Sequence, residues 1–373
     1  MKIKRVGVFT SGGDCAGLNF AIGAVVKRCA QLGAEVIGFE NGPVGMMGKS
    51  PFRPLPITMP WGEIMRQGST FLGAFSNGDW AKPLKPGETE KDKRESEIPA
   101  WGKTIKKHKL DVIIGTNGNG STFYSAGICK KLDVPFVGIP KTLDNDVLGT
   151  DFSVGFESTV QFCSEMIDNL FWTGKGHGRI MIAEVMGRDV GHLALHAGLA
   201  SGADIILIPE IKYSMTSVID KIKAIQKSEG RRHGLIVVAE GAGGGIGDED
   251  MVSPPNTKFQ AGCEKFPGVG EYLEAKLKEN GINARSCRLG HTQRGASTGS
   301  FDRKLAHMMG ALAVDSVLAM KKPEQKLISF SNGRIIVQDI DCLREIHEKY
   351  VDLDSDEVRA AKALGIYLGE NKQ

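Results

Sequence analysis

Short apolar runs rich in β-branched residues break the polar background of this chain at regular intervals. "RVGVFT", "EVIGFE", "DVIIGT", "FVGIP", "RIMIAEVM", "IILIPE" and "GLIVVAEG" are each too short for a helix and too continuous for a strand with one wet face. Several are followed by glycines and then by a helical period. "RVGVFT" leads through "SGGDCAG" into a helix from about Leu18 to Leu32, and "DVIIGT" leads through "NGNGS" into one ending near Leu132. Such alternation predicts an α/β fold with mainly parallel sheets covered on both faces. In such sheets ligands gather at the carboxyl ends of strands, where most of the unusual polar residues fall. "KPLKPGETEKDKRESEIP" reads as an exposed loop with a short helix, and "EGAGGGIGDEDMVSPPNTK" as a loop beyond a strand.

Composition narrows the picture. The 373 residues, 41% of them hydrophobic, suffice for two core-containing lobes. A net charge of +3 gives no reason to expect a nucleic-acid or membrane surface. The basic run "KTIKKHK" fits a solvated helix face. No apolar run approaches the ~20 residues that cross a bilayer, and "MKIKRVGVFTSGG" reads as a strand and turn rather than a signal peptide. Seven scattered cysteines without a CxxC pair suit a reduced, cytoplasmic setting.

Four stretches carry chemistry. In "TSGGDCAGLN", Gly12 and Gly13 let the backbone approach a ligand closely, ahead of a helix whose N–H groups favour an anion. Gly115, Gly118 and Gly120 in "GTNGNGS" repeat this on another strand, so two loops together point to a phosphorylated ligand. In "IPKTLDNDVLGTDFSVGF", Asp144 and Asp146 follow Lys141 and Thr142 just after a strand. A carboxylate beside an ammonium and a hydroxyl can take a proton from an alcohol while cations steady a phosphoryl group; the plainer alternative is an Asx turn capped by the aspartates. Finally, Arg179 and Arg188, the arginines and histidine of "NARSCRLGHTQRG" (Arg285, Arg288, His291, Arg294), and Glu240 stand at strand–loop junctions. Arginine's planar fork suits phosphate.

"TSGGDCAGLN", "PKTLDNDVLGTDFSVGF", "AEVMGR" and "LGHTQRG" occur in the order of the signature blocks of the 6-phosphofructokinase family, which this chain resembles. The resemblance implies two Rossmann-like lobes with the active site in the cleft between them. Residues 1–155 with 293–343 would form the donor-phosphate lobe, and 156–292 with 344–373 the fructose 6-phosphate lobe. It implies phosphoryl transfer from ATP or pyrophosphate to the 1-hydroxyl of fructose 6-phosphate, with Mg2+. Asp144 matches the general base, while Thr142, Asp146 and Lys141 match neighbours of the transferring group. Gly12, Gly13, Gly118, Asn119, Gly120 and Ser121 match the donor cradle; Asn119, Asp144 and Asp146 match the metal positions. Met186, Gly187, Arg188, Glu240, His291 and Arg294 match the sugar-phosphate pocket. Arg179 and Arg285 match residues lent across a subunit interface, which implies a homodimer or homotetramer.

The chain also departs from the family pattern. Asn119 stands where an aspartate usually holds magnesium, and Ser76 at about the position of an arginine that bridges the two phosphates. Tyr124 and Pro43 crowd the expected adenine site, and Lys141 is typical of pyrophosphate users, whereas Gly120 leaves room for a nucleotide. On balance these residues lean slightly towards pyrophosphate. Gly23 and Phe171 replace effector-site arginines, which implies weak allosteric control. Asn119 and Ser76 also leave open a non-catalytic member that binds sugar phosphate as a sensor or partner subunit.

Overall fold

A computed structural model of the chain describes residues 2–74, 90–228, 230–242, 268–343 and 349–369. Ser76 and most of the "EGAGGGIGDEDMVSPPNTK" stretch lie outside these residues. The chain divides into two compact units, one formed by Met1–Ser158 with Arg294–Glu348, the other by Thr159–Gln293 with Lys349–Gln373.

The first unit runs β1 (Arg5–Ser11), α1 (Leu18–Gln31), β2 (Glu35–Phe39), α2 (Pro43–Met46), β3 (Phe52–Pro54), α3 (Trp61–Ile64), α4 (Glu90–His108), β4 (Val112–Asn117), α5 (Asn119–Lys131) and β5 (Phe136–Pro140). After an excursion through the second unit, the chain returns with α10 (Ser300–Ala319), β10 (Gln325–Ser331) and β11 (Arg334–Asp339). The sheet order is β11-β10-β5-β4-β1-β2-β3. Its interior pairs are parallel, while β3 and β11 add antiparallel edges. The strands read as unbroken apolar runs because alternate residues feed two cores. Val6, Val8, Val112, Ile114, Val137 and Ile139 join a cluster with Phe20 and Val25 of α1 and Leu305 and Met309 of α10. Phe9, Ile37, Ile113 and Phe136 join another with Trp101 of α4 and Ile128 of α5. The "KTIKKHK" stretch ends the long α4. It is a solvated face in part: Lys103, Lys106 and Lys107 are exposed while Thr104, Ile105 and His108 turn inward.

The second unit contains α6 (Phe156–His177, begun at the end of the first), β6 (Ile180–Val185), α7 (His192–Ala200), β7 (Ile205–Leu207), α8 (Met215–Ser228), β8 (Gly234–Ala239), α9 (Val269–Glu279), β9 (Ala284–Arg288) and the C-terminal α11 (Asp356–Ala363). Its sheet, β7-β8-β6-β9, is parallel throughout. Beyond α11 the chain pairs with β7 through Tyr367.

Candidate active site

In the first unit, β1, β4 and β5 lie side by side and end level with one another, Ser11 opposite Asn117 and Asn117 opposite Pro140. The loops beyond them are tied together. Gly118 N donates to Ser11 O at 3.4 Å, Ser11 Oγ to Ser121 Oγ at 3.2 Å, and Lys141 N to Asn117 O at 3.1 Å. Gly12 has φ +82°, and a side chain there would press on Lys141 Nζ and Ser121 Oγ. A side chain at Gly13 would collide with the Arg294 guanidinium, whose Nη1 donates to Asp14 O at 3.1 Å. Arg294 therefore rests on the first glycine loop.

The two loops differ in what their helices offer. Leu18, Asn19 and Phe20, the first turn of α1, are buried, and the capping Gly17 N–H is taken by Thr298 Oγ1 at 3.0 Å. That end is packed inside the fold, contrary to the expectation that it faces a ligand; the exposed part of this loop is Gly12 to Asp14. The start of α5 is open. Asn119 is half-buried, Gly120 is exposed, and a Cβ at Gly120 would meet nothing within 4 Å. Its first N–H groups are the unpaired donors that helix geometry leaves for an anion. Asn117 faces inward, bracing α5 through Ser121 O and Ser125 Oγ, both at 3.4 Å. Tyr124 likewise packs against the core cluster of Trp101 and Phe136, with its hydroxyl buried.

Lys141 is 1% exposed, and its Nζ donates to Gly13 O, which joins the β5 end to the β1 loop. Burial pulls its ammonium below the usual range and Arg294 adds to this; Cys15, Asp146 and Asp14 oppose it. Cys15 is buried too, its thiol pushed up to about 12 mainly by burial, so it is a packing residue and not a nucleophile.

Beyond Lys141 burial alternates. Lys141, Leu143, Asn145 and Val147 are buried, while Thr142, Asp144 and Asp146 are partly accessible on the other side. Thr142 Oγ1 accepts from Asp144 N at 3.0 Å. The residue that ties the turn down is Asn145, at φ +54°. Its Nδ2 donates to Asp151 O and its Oδ1 accepts from Ser153 N, both at 2.9 Å.

The second unit sorts its polar residues by strand end. Met186, Gly187 and Arg188 follow β6, and Glu240 follows β8, its N–H bonded to Val185 O at 2.8 Å. Arg188 and His291 are exposed, Met186 buried. Arg179 precedes β6 and Arg285 sits at the start of β9, opposite Met181. At ~3.3 Å per residue, roughly 20 Å of strand separates Arg179 from Met186. Two residues absent from the sequence-based set organise this edge. Gln293 is fully buried, its Oε1 accepting from Met186 N at 3.2 Å and Cys163 Sγ at 3.3 Å. Glu184, 2% exposed, pairs with Arg288 at 2.6 Å and accepts from Gly270 N at 2.8 Å. Arg288 thus neutralises a buried carboxylate through its Nε. A glutamate inside an apolar strand is a legible sign of such a pair.

Among the described residues no three His, Cys, Asp or Glu side chains converge as a metal site. The set Asp144, Asp146 and Asn119 still suits magnesium, which is usually held by one or two carboxylates with substrate phosphates completing its shell. Asp146 acts electrostatically on Lys141, whose Nζ reaches Gly13, which places that carboxylate near the cradle.

Parallel sheets with paired glycine loops, an open helix N-terminus and a Lys-Thr-Asp-Asp turn at adjacent strand ends define an α/β phosphotransferase. The family model for phosphofructokinase matches residues 5–317, and the chain belongs to the phosphofructokinase family. An ATP-dependent 6-phosphofructokinase of Synechocystis sp. is 37% identical over 374 residues, covering 99% of both chains. A pyrophosphate–fructose 6-phosphate 1-phosphotransferase of Dictyoglomus thermophilum is 35% identical over 327 residues, covering 85% of this chain and 87% of its own. The solved phosphofructokinase of Saccharomyces cerevisiae matches with a TM-score of 0.77 at 25% identity, over 97% of this chain and 46% of that longer one. The chain thus spans less than half of the yeast polypeptide. A pyrophosphate-dependent phosphofructokinase from Nitrosospira multiformis shares the fold, with a TM-score of 0.75 at 19% identity over 99% of this chain and 93% of that one.

Proposed function

We propose that this protein transfers the terminal phosphoryl group of ATP to the 1-hydroxyl of fructose 6-phosphate, giving fructose 1,6-bisphosphate and ADP. The carrying observation is the accessible face of the β5 turn, which presents Thr142, Asp144 and Asp146 beside the glycine loops of β1 and β4. Asp144 takes the proton of the 1-hydroxyl; that oxygen bonds to the γ-phosphorus as the bond to the β-phosphate oxygen breaks. Gly120 and Ser121 supply backbone N–H groups to the donor phosphates, with Gly12, Gly13 and Gly118 allowing close approach. Thr142 orients the transferring group. Asn119, Asp144 and Asp146 would hold Mg2+, which when bound neutralises phosphate charge. Unit 1 serves the donor. In unit 2, Met186, Gly187, Arg188, Glu240 and His291 bind the sugar phosphate. Arg179 and Arg285, at the opposite strand ends, complete the site of a second copy in a homodimer or homotetramer.

The donor assignment rests on two features. Gly120 leaves open space where a nucleotide's phosphates would run, and Tyr124 packs against a core cluster with its hydroxyl buried. The first of the two residues that favoured pyrophosphate through a crowded adenine site therefore loses its force; Pro43 is buried at the start of α2. Relatives at 36–37% identity named ATP-dependent support the same choice. A pyrophosphate reading is favoured by Lys141, buried against the first glycine loop, and by the Dictyoglomus relative.

The variant Asp144→Asn tests the base. We expect kcat to fall by about 10²–10⁴-fold with either donor, while calorimetric affinity for fructose 6-phosphate stays within a few-fold. Turnover at the wild-type rate would remove Asp144 from the role.

A further inference from the structure

We propose that Asn145 is a positioning residue of the phosphoryl-transfer turn: its carboxamide fixes the backbone that presents Asp144 and Asp146. This rests on the functional reading above and deepens it.

The segment from Lys141 to Val154 is an excursion from the end of β5. A bridge between Lys141 and Val154 closes its base, with Thr142 N donating to Val154 O at 3.2 Å and Val154 N to Pro140 O at 3.0 Å. Inside the excursion, the Asn145 side chain does the work of a peptide unit. It donates to Asp151 O and accepts from Ser153 N, as a neighbouring strand's backbone would. Aspartate lacks the donor for this, since an ionised carboxylate only accepts.

The far side of the clamp is itself anchored. Asp151 N donates to Phe330 O at 2.7 Å and Phe330 N to Thr150 Oγ1 at 3.0 Å, so residues 150–151 are hydrogen-bonded to the end of β10. Phe152 packs edge-on against Phe301 and Phe330. A continuous path of contacts therefore runs from the sheet through 150–153 to Asn145 and then to its two acidic neighbours.

Position 145 also needs a residue that tolerates a left-handed backbone. Asn does so more readily than most side chains. Here φ is +54°, and Asn145 is only 4% exposed, so its amide is committed to the clamp and does not face a ligand. With Asn145 turned inward, Asp144 and Asp146 stay, like Thr142, partly accessible.

The test compares wild type with Asn145→Gly, which accepts the left-handed backbone but lacks the clamp, and Asn145→Asp, which keeps the acceptor alone. Steady-state kinetics with ATP and fructose 6-phosphate are read beside hydrogen–deuterium exchange of the peptide spanning 142–154. In Asn145→Gly we expect kcat to fall by about 10²-fold, the scale of a small misplacement of reacting groups. KM for fructose 6-phosphate should stay within about twofold, and exchange in the peptide should quicken. Asn145→Asp should fall between the two. Wild-type kcat in the glycine variant, despite faster exchange, would overturn the proposal. So would a loss of activity that only tracks the loss of folded protein. If Asn145→Gly does not fold, wild-type kcat in Asn145→Asp overturns it equally. No turnover by the wild-type chain with ATP or pyrophosphate defeats the functional reading instead, and exchange alone then decides whether Asn145 holds the turn.

Discussion

Gly120 carries the sharpest consequence at the scale of single residues. It occupies the second position of α5, exposed, with open space where a Cβ would stand. An aspartate there meets no steric obstacle, and its charge at a helix N-terminus is favourable by about 0.3–1 kcal/mol. On the proposed donor reading, the same charge would face a nucleotide's phosphates. Gly120→Asp should therefore keep or slightly raise the melting temperature while lowering kcat/KM for ATP by at least roughly tenfold, about 1.4 kcal/mol in the transition state. Unchanged ATP turnover in a stable variant would show that the donor does not pass this point. The placement of the glycine loops and of Thr142, Asp144 and Asp146 at neighbouring strand ends was legible in the sequence because each follows an apolar strand run. Asn145 was not. An Asp-Asn-Asp triplet offers three side chains able to cap a turn, and only the fold shows that the middle one is buried and bonded to Asp151 and Ser153. The partner of Arg288 was likewise hidden: only the fold shows the buried Glu184 opposite it across the strands.

Among the elements, the interior strands β1, β2, β4, β5, β6 and β8 were plain in the sequence because both their faces are buried. The edges were not. In β11 every residue from Arg334 to Asp339 is partly or fully exposed, so no apolar run marks it, and β3 is short and exposed. The helix α6 carries its buried positions at Phe156, Val160, Cys163 and Ile167, a period that a search for strand-end chemistry passes over. Helix α1 shows that a glycine-led N-terminus is not by itself an anion site, since its first turn is packed against residues far along the chain. Gly23 on the same helix lies against Met65 and Trp61, and a Cβ there would force Met65 to shift. Helix α7 supplies a pH dependence. Burial pushes the His192 imidazole down to about 4, while its hydrogen bond to Lys349 O at 2.9 Å opposes this. In the unfolded chain it titrates near ~6.5. Between those values the unfolded state binds a proton that the folded state refuses. The neutral-His contribution is thus fully present above ~6.5 and lost as pH falls towards 4. Burial raises the carboxyl of nearby Glu210, which works in the opposite sense. The comparison with His192→Gln isolates the histidine: its melting temperature should drop less between pH 7 and pH 5 than that of the wild type. Equal drops would remove His192 as a source of acid sensitivity.

For the whole molecule, the division into a seven-stranded and a four-stranded unit follows from hydrophobic economy: each sheet is covered by its own helices. The chain passes between units after Ser158, after Gln293 and after Glu348, the first two inside stretches dense in polar signature residues. Those first two passages are pinned. Asp302, fully buried in the first turn of α10, accepts from Ser158 N at 2.8 Å and Ser158 Oγ at 2.6 Å, and Gln293 is locked to Met186. Sequence alone could place the signature blocks but not these anchors, which join residues more than a hundred positions apart. The most direct measurement is formation of fructose 1,6-bisphosphate from fructose 6-phosphate and magnesium, with ATP and pyrophosphate in parallel. The account predicts turnover with ATP, at a kcat/KM at least roughly tenfold above that with pyrophosphate. Turnover with pyrophosphate alone would contradict the donor assignment and give the decisive role to Lys141. Silence with both donors, together with calorimetric binding of fructose 6-phosphate, would contradict catalysis itself and leave a binding protein built on a phosphofructokinase fold.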